Sequence, residues 1–363
     1  MEGDFLRFFR NKEIVEKIVK KIEEKAKHLE IIKIMHVCGT HEWTIAHFGI
    51  RSLLPDNIKV VAGPGCPVCV TPANEIDAIA NLSLEKDVIV TTFGDVFRVP
   101  GSKTSLIEAK AMGGDVRIVY SISESIEIAK KTNRKVVHFS IGFETTAPTT
   151  ALEILRNPPE NFSAFVTHKL IPPAMEFLLK QGCKIDGFIC PGHVSTIIGA
   201  RPYRSLAEAY RKPMVIAGFE PLDVIIGIFN IITQIEEGTY YVYNEYSRAV
   251  KEEGNIEALR LLNEAFEYSD SWWRGIGLIE RSGLKLKSKY EKYDALKKFN
   301  MELAKEDYMP EGCKCGEVLK GEIMPEECPL FKKVCTPTHP IGPCMVSIEG
   351  ACAIAYKHSI KVF

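Results

Sequence analysis

Residues 11–28 place Ile14, Val15, Ile18, Val19 and Ile22 on one face of a charged segment, at the spacing of an amphipathic helix. From residue 31 the pattern changes. Short β-branched runs occupy 31–37, 58–62, 88–92, 116–119, 135–141, 162–167, 186–190 and 214–218, most of them followed by a stretch of helical character. Strands that alternate with helices predict βαβ units and a parallel sheet. Eight strands by residue 218 is more than one compact open sheet usually holds at this spacing. The expectation is therefore an α/β protein with two open parallel-sheet domains, residues 1–133 and 134–306, each with about four strands. Asn157-Pro158-Pro159 is an alternative joint, and reads equally well as a helix-to-strand turn.

From 220 to 310 the pattern predicts helices at 221–237, 245–253, 256–268 and 289–306. Residues 307–363 then lose periodicity and become rich in Cys, Pro and Gly. Such a segment builds little apolar core, so it is expected to form a small third domain around an inorganic centre that supplies folding energy.

Composition narrows the function classes. The 363 residues are 46% hydrophobic and 26% charged, and 46 Lys+Arg against 47 Asp+Glu leave a net charge of −1. That balance argues against a nucleic-acid partner, whose binding domain would carry a basic excess. The longest apolar run, around 224–232, is broken by Asn230 and falls short of the ~20 residues that span a bilayer, so no membrane insertion is expected. The start, Met-Glu-Gly-Asp-Phe followed by Arg7, Arg10, Lys12 and Glu13, lacks the apolar stretch of a signal peptide. A cytoplasmic protein with reduced thiols is the expectation, and it changes how the cysteines read. There are 11, an odd number, and six of them lie between Cys313 and Cys352. Clustered thiols in a reducing compartment point to metal binding or redox chemistry.

The ends of the predicted strands carry the candidate chemistry, as the carboxyl ends of parallel strands do. They read Cys38-Gly-Thr-His41-Glu42, Gly63-Pro-Gly-Cys66-Pro-Val-Cys69, Phe93-Gly94-Asp95 running to Arg98-Val-Pro-Gly101, Gly142-Phe-Glu144-Thr-Thr, Pro191-Gly192-His193 and Phe219-Glu220-Pro221. Glycine at one such turn is ordinary turn chemistry. Its repetition beside three cysteines is not. Cys38 precedes a helix for which Thr40 is a plausible N-cap, and the positive end of that helix favours thiolate. His41 can orient or protonate what the thiolate binds. Cys66 and Cys69 form a CxxC, either a dithiol/disulfide couple or half of a metal site, with Thr71 and Pro72 as N-cap and first turn of the next helix. In the tail, Cys313, Cys315, Cys328, Cys335, Cys344 and Cys352 show no x2 spacing of zinc ribbons or bacterial ferredoxins. A [4Fe–4S] cluster needs four thiolates of any spacing, which leaves two for a second dithiol. Zinc is the rival.

Phosphate motifs are broken. Gly94…Gly101-Ser102-Lys103-Thr104 has the wrong glycine gap for a phosphate loop, and Gly63-Pro-Gly65 lacks the third glycine of a dinucleotide fingerprint. His138 reads as a packed strand histidine, and Trp272-Trp273-Arg274 as core. Cys183 and Cys190 receive no role.

Taken together, Cys38-Gly-Thr-His-Glu42, Gly63-Pro-Gly-Cys-Pro-Val-Cys69, Phe93-Gly-Asp95 with Arg98-Val-Pro-Gly-Ser102, Gly142-Phe-Glu-Thr-Thr-Ala-Pro148 and Pro191-Gly-His-Val194 resemble the [NiFe] hydrogenase maturation factors of the HypD family. The tail agrees in Cys315-Gly-Glu-Val-Leu319, Cys335-Thr-Pro337 and Pro343-Cys-Met-Val-Ser347 with Glu349-Gly-Ala-Cys352, so the resemblance covers essentially the whole chain. It implies a scaffold that assembles the Fe(CN)2CO unit with the small chaperone HypC, and with HypE carrying cyanide as a thiocyanate. It implies that Cys38 holds iron jointly with a HypC cysteine, with Cys66 and Cys69 as the nearby dithiol. It further implies that Cys313, Cys328, Cys335 and Cys352 ligate a [4Fe–4S] cluster, leaving Cys315 and Cys344 as a candidate disulfide. Soft thiolates suit an iron destined for carbon ligands. Freeing cyanide from a thiocyanate takes two electrons, which a dithiol can store. The expected relay runs from the cluster through Cys315/Cys344 and Cys66/Cys69 to Cys38. Glu42, Asp95, Glu144, His193 and Glu349 are candidates for proton transfer around it. Two other readings compete: a cluster-dependent thiol–disulfide reductase, which does not need Cys38 and His41, and a zinc-stabilised docking module.

Overall fold

A computed structural model describes residues 8–303 and 308–358. All eight predicted strands form: β1 (Ile32–His36), β2 (Ile58–Ala62), β3 (Val88–Thr92), β4 (Val116–Ile118), β5 (Lys135–Gly142), β6 (Phe162–His168), β7 (Gly187–Pro191) and β8 (Met214–Ala217). A short ninth, β9 (Val242–Asn244), adds one more edge. They build two open, wholly parallel sheets, ordered β2-β1-β7-β8-β9 and β4-β3-β5-β6.

The sheets do not divide at residue 134. β3 pairs with β5 across that point, from Val88↔Lys135 to Thr91↔His138, while β1 recruits β7 through Ile34↔Gly187. The chain leaves the first sheet after β2, completes the second, and returns. An apolar run identifies a strand, but the partner it selects is a long-range matter of packing that the run does not encode.

The predicted first helix is Lys12–Ala26, capped by the Asn11 side chain, which accepts from the Glu13 and Ile14 backbone N–H groups at 3.0 and 3.3 Å. Val15, Val19 and Ile22 are buried, and Ile14 and Ile18 pack at the edge of the same core. Helix Pro221–Glu237 covers the same face of the first sheet, contributing Ile225, Ile228 and Ile232. Fully burying each such side chain contributes about 1.5–3 kcal/mol.

Three helical expectations are corrected. Residues 245–253 form turns, in which Asn244 Nδ2 donates to the Val250 carbonyl at 2.9 Å. The helix at 256–268 stops at Ala265, and Phe266 opens an antiparallel hairpin, β10 (Phe266–Trp273) with β11 (Gly277–Leu286). Its connection needs positive φ at Gly275 (74°) and Gly277 (127°), which is where the helical pattern has to break. Within 289–306 only Ala295–Lys298 is α-helical, and 304–307 lie outside the described residues. Trp273 is core, as expected: it stacks on Phe143 and donates from Nε1 to Ser282 Oγ at 2.8 Å. His138 is fully buried, its Nδ1 between Thr91 and Ser125.

The tail holds two short helices, Cys315–Leu319 and Ala351–His358. Its Leu319, Phe331, Met345 and Val346 join the largest apolar cluster, together with Met35 and Val61 of the first sheet and Val88 and Val137 of the second. Among the described residues no helix is long and apolar enough to cross a membrane.

Candidate metal and thiol site

β1 ends at His36, and its backbone turns at Cys38 into helix Gly39–His47. Cys38, not Thr40, is the N-cap: its extended backbone (φ −158°, ψ 131°) aims its carbonyl at the Glu42 N–H, 3.2 Å away. Two glycines let other segments close on it. A Cβ on Gly65 would lie 2.1 Å from Cys38 N, and one on Gly39 would lie 2.4 Å from Glu349 Cβ. Gly39 N–H in turn donates to Gly65 O at 3.2 Å. The tips of β1 and β2 thus meet backbone to backbone, with the tail laid over them. The small cavity between them is lined by His36, Cys38, Gly39, Glu42, Cys66 and Glu349, among others.

Burial pushes the Cys38 thiol up to about 11, although the backbone N–H groups of His41 and Thr40 favour its thiolate and so oppose this. The helix start alone therefore does not ionise Cys38, contrary to expectation, because desolvation outweighs it. Glu349 adds to the upward shift. Glu349 is itself raised, by burial and then by the charge of Asp95. Ser347 joins the two segments: its Oγ donates to Asp95 Oδ2 at 3.4 Å and accepts from the Glu349 N–H at 3.2 Å.

His41 is fully buried and held near 3 by desolvation, then by the proximity of His36, so it is neutral at physiological pH. Its Nε2 faces two carbonyl oxygens, Gly218 O at 2.9 Å and Ala217 O at 3.2 Å, and so carries the proton. That leaves a lone pair on Nδ1, which is buried without a hydrogen-bond partner. Glu42 points the other way. Burial alone would raise it, but the Arg51 charge and the His36 hydrogen bond hold it at about 2.

Cys66 and Cys69 are joined as a disulfide, with Cα atoms 5.3 Å apart, and both are buried. The helix after them is Ala73–Ser83, with Pro72 as N-cap in place of Thr71, whose hydroxyl donates instead to Pro67 O at 2.9 Å. From that helix Asp77 fills the loop that loosely resembled a phosphate cradle. The N–H groups of Ser102, Lys103 and Thr104 donate to its carboxylate at 2.9, 3.0 and 3.0 Å. An internal carboxylate occupies the donors a phosphate would need.

In the tail, the thiols of Cys313, Cys315, Cys344 and Cys352 lie close enough to shift one another's ionisation. A Cβ on Gly342 would lie 2.5 Å from Cys313 Sγ and 2.7 Å from Cys315 Sγ. Cys315 and Cys344 are free thiols here, not the disulfide the resemblance suggested. Cys328 and Cys335 lie on the adjoining turn, where Cys335 Sγ accepts from Ile341 N–H at 3.4 Å. The hydrogen bond from Cys315 brings Cys313 down to about 7. Among the described residues no group of three or more His, Cys, Asp or Glu side chains is poised to hold a metal ion. Six thiols in this one segment, two of them packed where a Gly342 side chain would be, are nevertheless soft donors of the kind that an iron–sulfur centre uses.

The family model HypD, described as "Hydrogenase formation hypA family", matches residues 13–359. The chain belongs to the HypD family. It is 46% identical over 363 residues to hydrogenase maturation factor HypD2 of Bradyrhizobium diazoefficiens, covering 96% of this chain and 95% of that one. It is 41% identical over 365 residues to hydrogenase maturation factor HypD of Escherichia coli, covering 98% of each. A Methanocaldococcus jannaschii protein with the provisional name hydrogenase expression/formation protein is 50% identical over 349 residues, covering 95% of this chain and 97% of that one. Hydrogenase maturation is thus the work of the family.

Within this HypD chain, most of the strand-tip candidates come together. Cys38, His41, Glu42, Cys66, Cys69, Asp95 and Glu349 gather around the tips of β1 and β2. Glu144 does not join them. It sits at the start of helix Ile171–Lys180, accepts from Ile171 N–H at 2.9 Å, and lines a separate apolar cavity of about 1020 Å³ with Leu170, Pro172 and Phe266. Burial pushes it up to about 8. His193 lies outside the cavity, exposed, its ring stacked on Phe219 with centroids 4.0 Å apart; Phe219 is 4.9 Å from His41. Cys190 is fully buried, its thiol pushed up by desolvation, and Cys183 is partly buried. Sequence reasoning missed His36 and Arg51, the two partners of Glu42. His36 reads as another strand histidine, and nothing in the spacing of Arg51 announces a contact nine residues back.

Proposed function

We propose that this HypD protein is the scaffold and redox factor on which the Fe(CN)2CO unit of [NiFe] hydrogenase is assembled, working with a HypC-like chaperone and a HypE-like cyanide donor. The observation that carries this reading is that Cys38 and Cys66 line one small cavity, with Glu349 in its wall. Iron arrives as cargo. Cys38 supplies one soft ligand from a strand end whose backbone is held on both sides, and a cysteine from the chaperone supplies another. Metal binding takes the proton from a thiol that burial otherwise keeps protonated.

Cyanide release then balances as a two-electron exchange. One cysteine of the Cys66/Cys69 pair, as thiolate, attacks the sulfur of the thiocyanate R–S–CN, forming a mixed disulfide and freeing cyanide. The second attacks that disulfide, freeing R–SH and leaving Cys66–Cys69 oxidised, the state seen here. In sum, R–S–CN and two thiols give R–SH, HCN and one disulfide. The two thiol protons leave with the products, and His41, which burial keeps neutral, offers its Nδ1 lone pair as a hydrogen-bond acceptor. Glu349, whose carboxyl burial raises, exchanges protons with solvent and is linked to Asp95 through Ser347. The tail thiols Cys313, Cys328, Cys335 and Cys352 would hold a [4Fe–4S] cluster, which supplies electrons singly when bound.

The disulfide equally suits a plain thiol–disulfide reductase. A Cys38→Ala chain separates the two readings in a hydrogenase maturation assay. Loss of maturation supports the scaffold, and full retention transfers support to the reductase.

A further inference from the structure

The Cys38–Gly39 peptide is pinned at both ends. Its N–H, from Gly39, donates to Gly65 O at 3.2 Å. Its carbonyl, from Cys38, accepts from the Glu42 N–H at 3.2 Å and lies 3.2 Å from His36 Nδ1. The His36 contact has a foundation of its own. His36 Nε2 is 2.6 Å from Glu42 Oε2, and Glu42 is gripped by both terminal nitrogens of Arg51, Nη1 to Oε1 at 3.0 Å and Nη2 to Oε2 at 2.6 Å. Arg51 uses its remaining donor, Nε, on the Val60 carbonyl of β2 at 2.9 Å.

Arg51 comes from outside the cysteine motif. Helix Gly39–His47 ends, Gly49 turns the chain with φ 63°, and Arg51 sits in the one-turn helix Ile50–Leu53 that follows. Its side chain runs back under the motif, 27% exposed, to a Glu42 side chain that is 3% exposed. The fork matters because only a guanidinium offers two parallel donors to a carboxylate and a third at right angles to a strand.

We propose that Arg51 is a positioning residue for Cys38: by clamping Glu42 to β2 it fixes His36, and through His36 the Cys38 carbonyl, so that the thiol is presented at a set angle between the two strand tips. Its hydrogen bonds go to Glu42, which leads to Cys38, and to the Val60 carbonyl, which holds β2 beside it. The metal-facing part of this inference rests on the reading of Cys38 as the iron-holding thiol. The geometric part does not.

Two variants and two probes test it. Arg51→Lys keeps the charge but loses the fork and the bond to Val60. Arg51→Met with Glu42→Gln removes the pair without leaving a buried charge unpaired. Thermal unfolding followed by circular dichroism reports the fold. The first probe is iodoacetamide, with the Cys38 rate read by mass spectrometry against the partly exposed Cys183 as internal standard. The second is Co(II), followed by the part of its thiolate charge-transfer band that Cys38→Ser abolishes. Arg51→Lys is expected to melt like the wild type, to alkylate several-fold faster at Cys38 but not at Cys183, and to bind Co(II) about 10–100-fold more weakly at Cys38. The double variant is expected to show the same two shifts. A merely structural arginine predicts that lysine restores everything. Wild-type alkylation at Cys38 in both variants overturns the positioning role while leaving the functional reading intact. A wild type with no Cys38-dependent Co(II) band overturns the functional reading, and the alkylation rates still decide the role of Arg51.

Discussion

Gly65 packs against Cys38 so closely that a methyl group on it would lie 2.1 Å from the Cys38 backbone nitrogen. Two strand tips distant in sequence approach to this degree only where one lacks a side chain. Gly65→Ala is therefore expected to push the tips of β1 and β2 apart, at a cost of about 1–3 kcal/mol, and to abolish maturation. Gly94→Ala is the control, since a Cβ there meets only Ile118 at 3.7 Å. Urea unfolding and a maturation assay on both chains check this, and equal behaviour of the two would contradict it.

Glu42 makes stability fall in acid. Burial raises its folded pKa, but Arg51 and His36 overcome that and bring it to about 2, below its ordinary value of 4.5. A depressed carboxyl contributes stability that is present above the ordinary value and lost as pH falls towards 2. The contribution is about 3 kcal/mol at neutral pH. Urea unfolding between pH 5.5 and 2.5, values chosen to bracket this window, should show a shallower loss in Glu42→Gln than in the wild type.

Glu144 has the opposite sign. Burial pushes it up to about 8 from 4.5. Its stabilising share is full below the ordinary value and disappears as pH rises through about 8. Glu144→Gln keeps an oxygen for the Ile171 N–H and has no charge to desolvate. It is expected to be more stable than the wild type by about 4 kcal/mol at pH 8 and no more stable at pH 4. Because Glu144 lies away from Cys38, this variant is also expected to leave Cys38 alkylation unchanged.

If Cys315 and Cys344 feed electrons to Cys66–Cys69, removing both should strand the disulfide. Under stepwise anaerobic reduction with thiol trapping, the Cys315→Ser/Cys344→Ser chain is expected to keep Cys66–Cys69 oxidised at potentials that open it in the wild type. Opening at the same potential, with unchanged cyanide transfer, would remove the relay.

Much of this was legible in the sequence, for identifiable reasons. The strands announced themselves because buried parallel strands are nearly continuous β-branched runs, as in Val88–Thr92. The meeting of Cys38 with Cys66 followed from the rule that ligands gather at strand tips. What stayed hidden is long-range. Lys135 does not declare that it pairs with Val88, nor Gly187 that it returns to Ile34. The hairpin was masked because Phe266 continues a helical pattern, and the turn at Gly275 and Gly277 is visible only once the break is sought. Glu144 sits at a strand tip like the others, but at the second sheet, where its partner is a helix start rather than a thiol. Arg51 and His36 escaped notice because their contacts are made by folding: both meet at Glu42, and from there one reaches the Val60 carbonyl and the other the Cys38 carbonyl.

The central claim, that Cys38 and the Cys66/Cys69 pair hold and equip iron, is tested most directly by infrared spectroscopy. The protein would be purified anaerobically together with its small chaperone, as wild type and as Cys38→Ala. The wild type is expected to show the stretching bands of iron-bound cyanide and carbon monoxide, and Cys38→Ala to show none while still unfolding at the wild-type temperature. The same bands in Cys38→Ala, or a folded, colourless, zinc-loaded wild type without them, would contradict the account.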